Sequence, residues 1–349
     1  MNRKRIQLIG LMMLVASTIL SGCGLGNDSV TLINVSYDPT RELYQDYNEL
    51  FSKYWKEKTG QEIEIVQSHG GSGKQALEVS NGLPADVVTL ALEKDVDSIA
   101  SQGLIDEGFT DEFKNDSAPY TSTIVFLVRK GNPKGINDWD DLIKEDIGVI
   151  TPNPKTSGGA RWNYLAAWYY FESKGLNEDE IKENMKSLYK NVVVLDSGAR
   201  GATTSFTENG QGDVLIAWEN EAFLAMAEEP GEYEIVVPSA SILCQPTVAV
   251  VDDVVYEHGT EEVAREYLEY LYSKEAQKII GENYYRPVDD QVAKIITRED
   301  EGNVIKEIPQ DGRWLVDSID LTDISHFGGW EKASDKFFDE GAIFDEIYE

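Results

Sequence analysis

The sequence predicts an α/β protein of two lobes, each built on a doubly wound sheet, with two strands crossing between the lobes. The 349 residues exceed one ordinary domain of roughly 100–200 residues and suit two. Short β-branched runs alternate with helical patterns, which is typical of largely parallel sheets. Two longer β-branched runs, 120–129 and 247–255, each follow a proline and suit the crossings. We therefore expect one lobe from 30–120 plus 247–349 and a second from 121–246.

The first 22 residues are typical of a secretory signal. Arg3-Lys4-Arg5 precede an apolar run over 6–20, which is shorter than the about 20 residues that a membrane-spanning helix needs. The run ends in Leu20-Ser21-Gly22-Cys23, which resembles the signal of bacterial lipoproteins. That resemblance implies cleavage before Cys23 and lipid on its sulfur, with an ordinary signal peptide and a chance cysteine as the alternative.

The elements of the first lobe follow in order. A β-branched strand covers 30–36, and an amphipathic helix covers 41–59 and stops at Gly60. A strand over 62–67 runs into a glycine-serine loop at 68–73, and a helix begins near Lys74. Gly82-Leu83-Pro84 ends that helix, and a short apolar strand follows at 86–92.

The alternation of predicted strands and helices continues in the second lobe and the rest of the chain. The sequence predicts strands at 147–151, 192–195 and 214–218, helices at 161–173 and 221–227, and a long helix at 260–280. Residues 297–312 are charged without a period, which predicts a loop. The aromatic end, 327–344, is predicted to dock on the body of the protein.

Composition and motif checks favour binding over catalysis. With 31 Lys+Arg against 63 Asp+Glu, the net charge of −32 argues against a nucleic-acid partner. The three histidines lack metal-ligand spacing, and Ser68 and Gln75 depart from the phosphate-binding loop around Gly73-Lys74. Cys244 lies in an apolar stretch and is predicted to be an inert buried thiol. We expect no metal, cofactor or catalytic residue.

Three glycine-serine loops carry the functional prediction. They contain Ser72, Ser157 and Ala199, and each lies between the end of a predicted strand and the start of a helix. The first N–H groups of a helix have no internal acceptor, and the helix dipole is positive there. Three such loops at the carboxyl ends of strands predict an anion site.

Motifs along the whole chain resemble one family. The order of residues in these motifs is similar to that of the sulfate/thiosulfate-binding proteins of bacterial ABC importers. The motifs are at 34–42, 68–75, 117–123, 151–154, 156–164, 196–201, 216–221, 285–287 and 327–330. The resemblance implies a two-lobed periplasmic-binding-protein fold, type II, that closes on one dehydrated tetrahedral anion.

The resemblance also implies a set of donors to the anion. The hydroxyl and backbone of Ser157 and the indole N–H of Trp218 would contribute. The remaining donors would be the backbone N–H groups of Ser72, Gly158, Gly159 and Ala199. Asp38, His69 and Arg200 would lie just behind these groups.

The expected biology follows from the same resemblance. A monomeric, extracytoplasmic lipoprotein anchored to the membrane would capture sulfate and deliver it to an ABC permease and its ATPase. Thiosulfate, molybdate, tungstate or phosphate are alternative ligands. A more distant alternative is an extracellular hydrolase or transferase of sulfate or phosphate esters with Ser157 or Ser72 as nucleophile, which lacks a base or metal cluster in the motifs. A structural or adhesive surface lipoprotein would leave the three loops unexplained.

Overall fold

The computed structural model describes residues 29–289, 291–293 and 319–348. The strands are β1 (Val30–Tyr37), β2 (Ile63–Gly70), β3 (Val87–Leu90), β4 (Tyr120–Arg129), β5 (Val149–Pro152), β6 (Val192–Asp196), β7 (Val214–Trp218), β8 (Tyr233–Val236), β9 (Ala240–Cys244), β10 (Thr247–Val250), β11 (Arg286–Pro287) and β12 (Asp320–Thr322).

The helices surround these strands. They are α1 (Arg41–Thr59), α2 (Ser72–Ser80), α3 (Glu93–Ala100), α4 (Lys114–Ser117), α5 (Gly158–Ser173), α6 (Glu178–Lys190), α7 (Ala199–Thr207), α8 (Glu219–Glu228), α9 (Asp252–His258), α10 (Glu261–Tyr270), α11 (Lys274–Glu282), α12 (Trp330–Ala333) and α13 (Ile343–Tyr348). Ser334–Phe338 forms a π-helical turn between the last two. None of the described helices is long and apolar enough to cross a bilayer.

The first sheet has the order β10-β3-β1-β2. Strand β1 pairs in parallel with β2 and β3, and β10 adds an antiparallel edge. Helix α1 buries Tyr44, Tyr47 and Phe51, which pack with Tyr267 of α10. The predicted start and end of α1 are confirmed, and Gly60 ends it in the left-handed conformation with φ 78°.

The second sheet has the order β12-β9-β4-β7-β5-β6, and β8 and β11 also pair with β4. Strands β5, β6 and β7 are parallel, whereas β4 is antiparallel to β7. The α/β architecture with two sheets is confirmed. Strand β9, which the sequence analysis left out, completes this sheet beside β4.

The chain passes between the sheets near the predicted crossings and once more. It enters the second sheet at Tyr120 and returns to the first between Cys244 and Thr247. A third passage follows α11, where Arg286 pairs with Thr121 of β4. Gln277, fully buried, stabilises this region by donating to the carbonyls of Pro119 and Leu271 and accepting from two backbone N–H groups, those of residues 288 and 289.

The end of the chain lies on the second sheet and not on the first, where the sequence analysis put it. Strand β12 pairs in parallel with β9. Trp330, Phe337, Phe338 and Phe344 are buried in one core cluster with the aromatic side chains of α5. The docking of the aromatic end is confirmed, and its partner differs because α5 is apolar around most of its surface.

Two predicted elements are shorter than expected. The strand 247–255 ends at Val250, and α9 begins at Asp252, where two carboxylates favour a helix start. The helix 260–280 is broken into α10 and α11, since the hydroxyl of Ser273 caps α11 by accepting from the N–H of Ala276 at 3.1 Å. The signal segment with Cys23 and the predicted loop 297–312 lie outside the described residues.

Candidate anion site

Three helix N-termini meet at one cavity. Helix α2 follows β2 of the first sheet, whereas α5 and α7 follow β5 and β6 of the second. Their first turns surround a small cavity. The lining residues are Tyr37, Asp38, Pro39, Gly70, Gly71, Ser72, Ser157, Gly159 and Ala199. The structure thus brings together residues from all three predicted loops.

The chemistry of the cavity is that of hydrogen-bond donors. Ser72, Gly158 and Ala199 are the first residues of their helices, and Gly159 is the second residue of α5. Backbone N–H groups in a first helical turn have no acceptor inside the helix. The positive ends of three helix dipoles add to these donors, so the cavity favours an anion.

The hydroxyl of Ser72 is engaged within the protein. It donates to Oδ2 of Asp95 and accepts from the backbone N–H of Ala91 at 3.0 Å. Burial raises the pKa of Asp95, and the charge of Arg161 opposes that shift. Ser72 therefore offers its backbone N–H to a ligand while its side chain stabilises the start of α2.

Ser157 has the opposite arrangement. Its backbone N–H donates to the carbonyl of Asn153 at 2.9 Å. Its Oγ caps α5 by accepting from the N–H of Ala160 at 3.4 Å, which leaves the hydroxyl hydrogen available. Only the hydroxyl of Ser157 can therefore donate to a ligand in this conformation.

Two glycines allow the loops from the two sheets to approach each other. A Cβ on Gly71 would lie 2.7 Å from the backbone oxygen of Thr156, and a Cβ on Gly158 would lie 3.0 Å from Oδ2 of Asp95. Real Cβ atoms do not tolerate a contact as short as the first. The site is consequently an interface between the two sheets, closed by backbone contacts.

Trp218 does not line the cavity itself but contacts two residues that do, Tyr37 and Gly159. It ends β7, is 2% exposed, and its ring lies 5.5 Å from that of Tyr37, centroid to centroid. Its indole N–H donates to the carbonyl of Gly159 at 3.2 Å. An anion would therefore have to compete with this carbonyl for the indole donor.

Asp38 and His69 occupy different positions near the site. Asp38 lines the cavity, and its Oδ1 accepts from Arg41 at 3.0 Å. His69 is partly buried at the end of β2, and its Nε2 has no hydrogen-bond partner. Burial, helped by the charges of Arg41 and Arg200, lowers the pKa of His69 to about 4. The imidazole is therefore neutral at physiological pH.

Arg200 connects the two sides of the site outside the cavity lining. Its guanidinium donates to Glu42 of α1 at 2.8 Å and to Glu221 of α8 at 3.1 Å. Glu221 is 2% exposed, and burial raises its pKa while Arg200 lowers it. The guanidinium neutralises a buried carboxylate and holds α7 beside α1.

Asp95 and Tyr37 are site residues that the sequence analysis did not choose. Tyr37 lies in the 34–42 motif, directly before Asp38, so its position next to the predicted loops could have indicated it. Asp95 lies in an ordinary helical pattern without glycine or serine beside it. No local signal distinguishes it from an exposed carboxylate.

Comparison with known proteins assigns the chain to a family. The model of bacterial extracellular solute-binding proteins matches residues 40–286. The chain is 54% identical over 342 residues to the sulfate-binding protein of Escherichia coli, covering 97% of this chain and 98% of that one. It is 43% identical over 339 residues to the thiosulfate-binding protein of Pseudomonas aeruginosa, covering 95% and 97%.

A solved structure agrees with these relatives. The sulfate-binding protein SubI from Mycobacterium tuberculosis superposes with a TM-score of 0.74 and 28% identity, covering 89% of this chain and all of that chain. The family match, the full-length relatives and the common architecture lead to one conclusion: the chain belongs to the bacterial extracellular solute-binding proteins.

Proposed function

We propose that the protein is an extracytoplasmic receptor that captures sulfate between two lobes and delivers it to an ABC import permease driven by an ATPase. The observation that carries this proposal is the convergence of three helix N-termini, from both sheets, on one small cavity. The sulfate-binding relative at 54% identity supports sulfate as the ligand.

The proposed donors suit a fully ionised oxyanion. They are the backbone N–H groups of Ser72, Gly158, Gly159 and Ala199, the hydroxyl of Ser157 and the indole of Trp218. Sulfate near neutral pH only accepts hydrogen bonds, so a site of donors leaves none of them unpaired. Each bond to a charged group contributes roughly 1.5–3 kcal/mol net, which offsets much of the dehydration of the anion.

The same logic predicts rejection of phosphate. Hydrogen phosphate carries a proton that needs an acceptor, and an unpaired buried donor costs about 1–3 kcal/mol. Asp38 is the carboxylate in the cavity lining, and Arg41 already donates to it. Arg41 donates to only one oxygen of that carboxylate, so the prediction rests on the six proposed donors, none of which is a free acceptor for that proton. We expect phosphate to bind at least tenfold more weakly than sulfate.

The acidity of the chain does not oppose this function. The net charge of −32 repels anions at long range. Salt screens that repulsion beyond about 8–10 Å, whereas the donors act at contact. The affinity should therefore depend only weakly on ionic strength.

Closure of the two lobes would complete the site. We assign 30–119 and 247–285 to the first lobe, and 120–246 with 286–289 and 319–348 to the second. Ser72 then belongs to the first lobe, and Ser157, Ala199 and Trp218 to the second. Each lobe alone has an incomplete set of donors, so the ligand stabilises the closed state, which the permease would recognise.

The proposal also includes the attachment of the protein to the cell membrane. A lipid on Cys23 would anchor the monomer to the outer face of the cell membrane. Metabolic labelling with an alkyne fatty acid should mark the protein and fail to mark Cys23→Ala. Labelling of both proteins equally would contradict this anchor.

Thiosulfate is a second candidate ligand. Relatives called thiosulfate-binding proteins are 43% and 40% identical to this chain over nearly its full length. Thiosulfate is also a tetrahedral dianion without a proton at neutral pH, so the donor set suits it as well.

Calorimetry tests the proposal directly. The chain from Asn27 onward, dialysed free of anions, is titrated with sulfate, thiosulfate, molybdate and phosphate. We expect one-to-one binding of sulfate at micromolar concentration or below and no measurable binding of phosphate. If folded protein that carries no bound anion gave no heat of binding with any of the four anions, the proposed function would be refuted.

A further inference from the structure

A lysine two residues before Ser157 binds the C-terminal part of the chain. Lys155 lies in the loop that joins β5 to α5. Its Nζ donates to the carbonyls of Phe338 at 2.8 Å and Asp339 at 3.0 Å, and it pairs with Oδ1 of Asp345 at 2.7 Å. Three oxygens thus converge on one ammonium group.

The acceptors are suited to a cation. The carbonyl of Phe338 ends the π-helical turn Ser334–Phe338, and that of Asp339, the next residue, also accepts from the N–H of Ala342 at 3.0 Å. Lys155 holds the pKa of Asp345 below its usual range, and the N–H of Gly341 donates to the other oxygen of that carboxylate. Asp345 is therefore ionised at neutral pH and complements the ammonium.

The segment that Lys155 binds is fixed to the second sheet. The rings of Phe337, Phe338 and Phe344 lie 5.3–5.9 Å from the ring of Tyr164 in α5, centroid to centroid. All three phenylalanines are at most 2% exposed. Lys155 consequently links the 153–157 loop to a well-packed part of the C-terminal segment.

Among the described residues, the 153–157 loop has few other contacts with the C-terminal segment. Ser157 and Lys155 bond back to Asn153 within the loop. Arg161 donates to the carbonyl of Pro154 at 3.0 Å, and its guanidinium lies 5.4 Å from the ring of Phe338. In the part of the chain that the structure describes, the ammonium of Lys155 joins the loop to 330–348 by direct hydrogen bonds, while Thr156 Oγ1 donates to the carbonyl of Ser197 at 2.9 Å on the other side.

We propose that Lys155 is a positioning residue for the anion site, holding the 153–157 loop so that the Ser157 hydroxyl and the first N–H groups of α5 face the cavity. This inference rests on the proposed function for its ligand readout. It adds a residue outside the donor set, and it gives the C-terminal segment a role in binding.

The test compares Lys155→Met and Lys155→Arg with the matched control Lys336→Met. Lys336 lies on the same segment, pairs with Glu178 of α6 at 2.9 Å and lies over the rings of Trp168 and Phe337. We expect Lys155→Met to weaken sulfate binding about 3- to 10-fold, as for loss of a partly exposed charge-assisted contact. Lys155→Arg should restore affinity to within about twofold, and Lys336→Met should leave it unchanged.

Two readouts keep the inference separate from the proposed function. Sulfate affinity is measured by calorimetry, and amide hydrogen exchange of 153–160 is measured without ligand. Lys155→Met should speed that exchange, whereas Lys336→Met should not. Wild-type affinity and wild-type exchange in Lys155→Met, or equal losses in Lys336→Met, would overturn the inference. Failure of the wild-type protein to bind sulfate would refute only the proposed function, because the exchange experiment still decides the role of Lys155.

Discussion

Gly71→Ala should weaken anion binding without unfolding the protein. Gly71 has φ −60° and ψ 133°, which alanine adopts without strain. The new Cβ would lie 2.7 Å from the backbone oxygen of Thr156, about 0.7 Å closer than an ordinary contact. Because Gly71 follows the first sheet and Thr156 the second, the collision occurs only when the two sides meet. Overpacking of this size costs about 1–3 kcal/mol, which corresponds to about 5- to 150-fold in Kd.

The assay is titration calorimetry with sulfate, accompanied by thermal unfolding of the ligand-free protein. Gly73→Ala is the matched control, since its Cβ would lie 3.6 Å from Asp95 and alanine favours the helix there. We expect Gly73→Ala to bind like wild type and Gly71→Ala to lose affinity at an unchanged Tm. Wild-type affinity in Gly71→Ala would refute the close approach of the two loops in the bound state.

Three further predictions concern single side chains. Trp218→Phe keeps most of the ring and removes the indole donor, so sulfate affinity should fall at least tenfold by calorimetry; an unchanged Kd would exclude Trp218 from the site. His69 takes up its proton at higher pH when unfolded, because its pKa in the fold is about 4. Relative to His69→Gln, the wild type should therefore lose about 2–3 kcal/mol of stability between pH 7 and 4 in urea unfolding; parallel pH profiles would contradict this. Gln277→Leu removes the donor to the buried carbonyls of Pro119 and Leu271 and the acceptor of two half-buried N–H groups, and should cost about 3–5 kcal/mol in denaturant unfolding; a loss below about 1 kcal/mol would refute it.

The local parts of the site could be predicted from sequence. Glycine and serine after a strand indicate a helix start, and the structure begins helices at Ser72, Gly158 and Ala199. The α1 bounds and the strands at 120–129 and 214–218 also agree, since their apolar patterns are long and regular. These features depend on residues within a few positions of one another.

The remaining parts depend on contacts between distant segments. The bond of Ser72 to Asp95 joins residues 23 positions apart and carries no local pattern. The aromatic end docks on the second sheet and not on the first, and an apolar stretch does not specify its partner. The break between α10 and α11 has no clear local signal, because Ser273 is an acceptable residue inside a helix as well as at its start.

The two ends of the described chain lie on different sheets. Strand β1 begins at Val30 in the first sheet, whereas α13 packs against α6 beside the second. A donor and an acceptor fluorophore attached near residues 29 and 348 would therefore lie on different sheets. Closure of the two lobes would change the distance between them and so the efficiency of energy transfer. A truncation into either end of the described residues would alter only one of the two sheets. The protein thus offers a scaffold for an optical sensor whose signal reports the distance between residues 29 and 348.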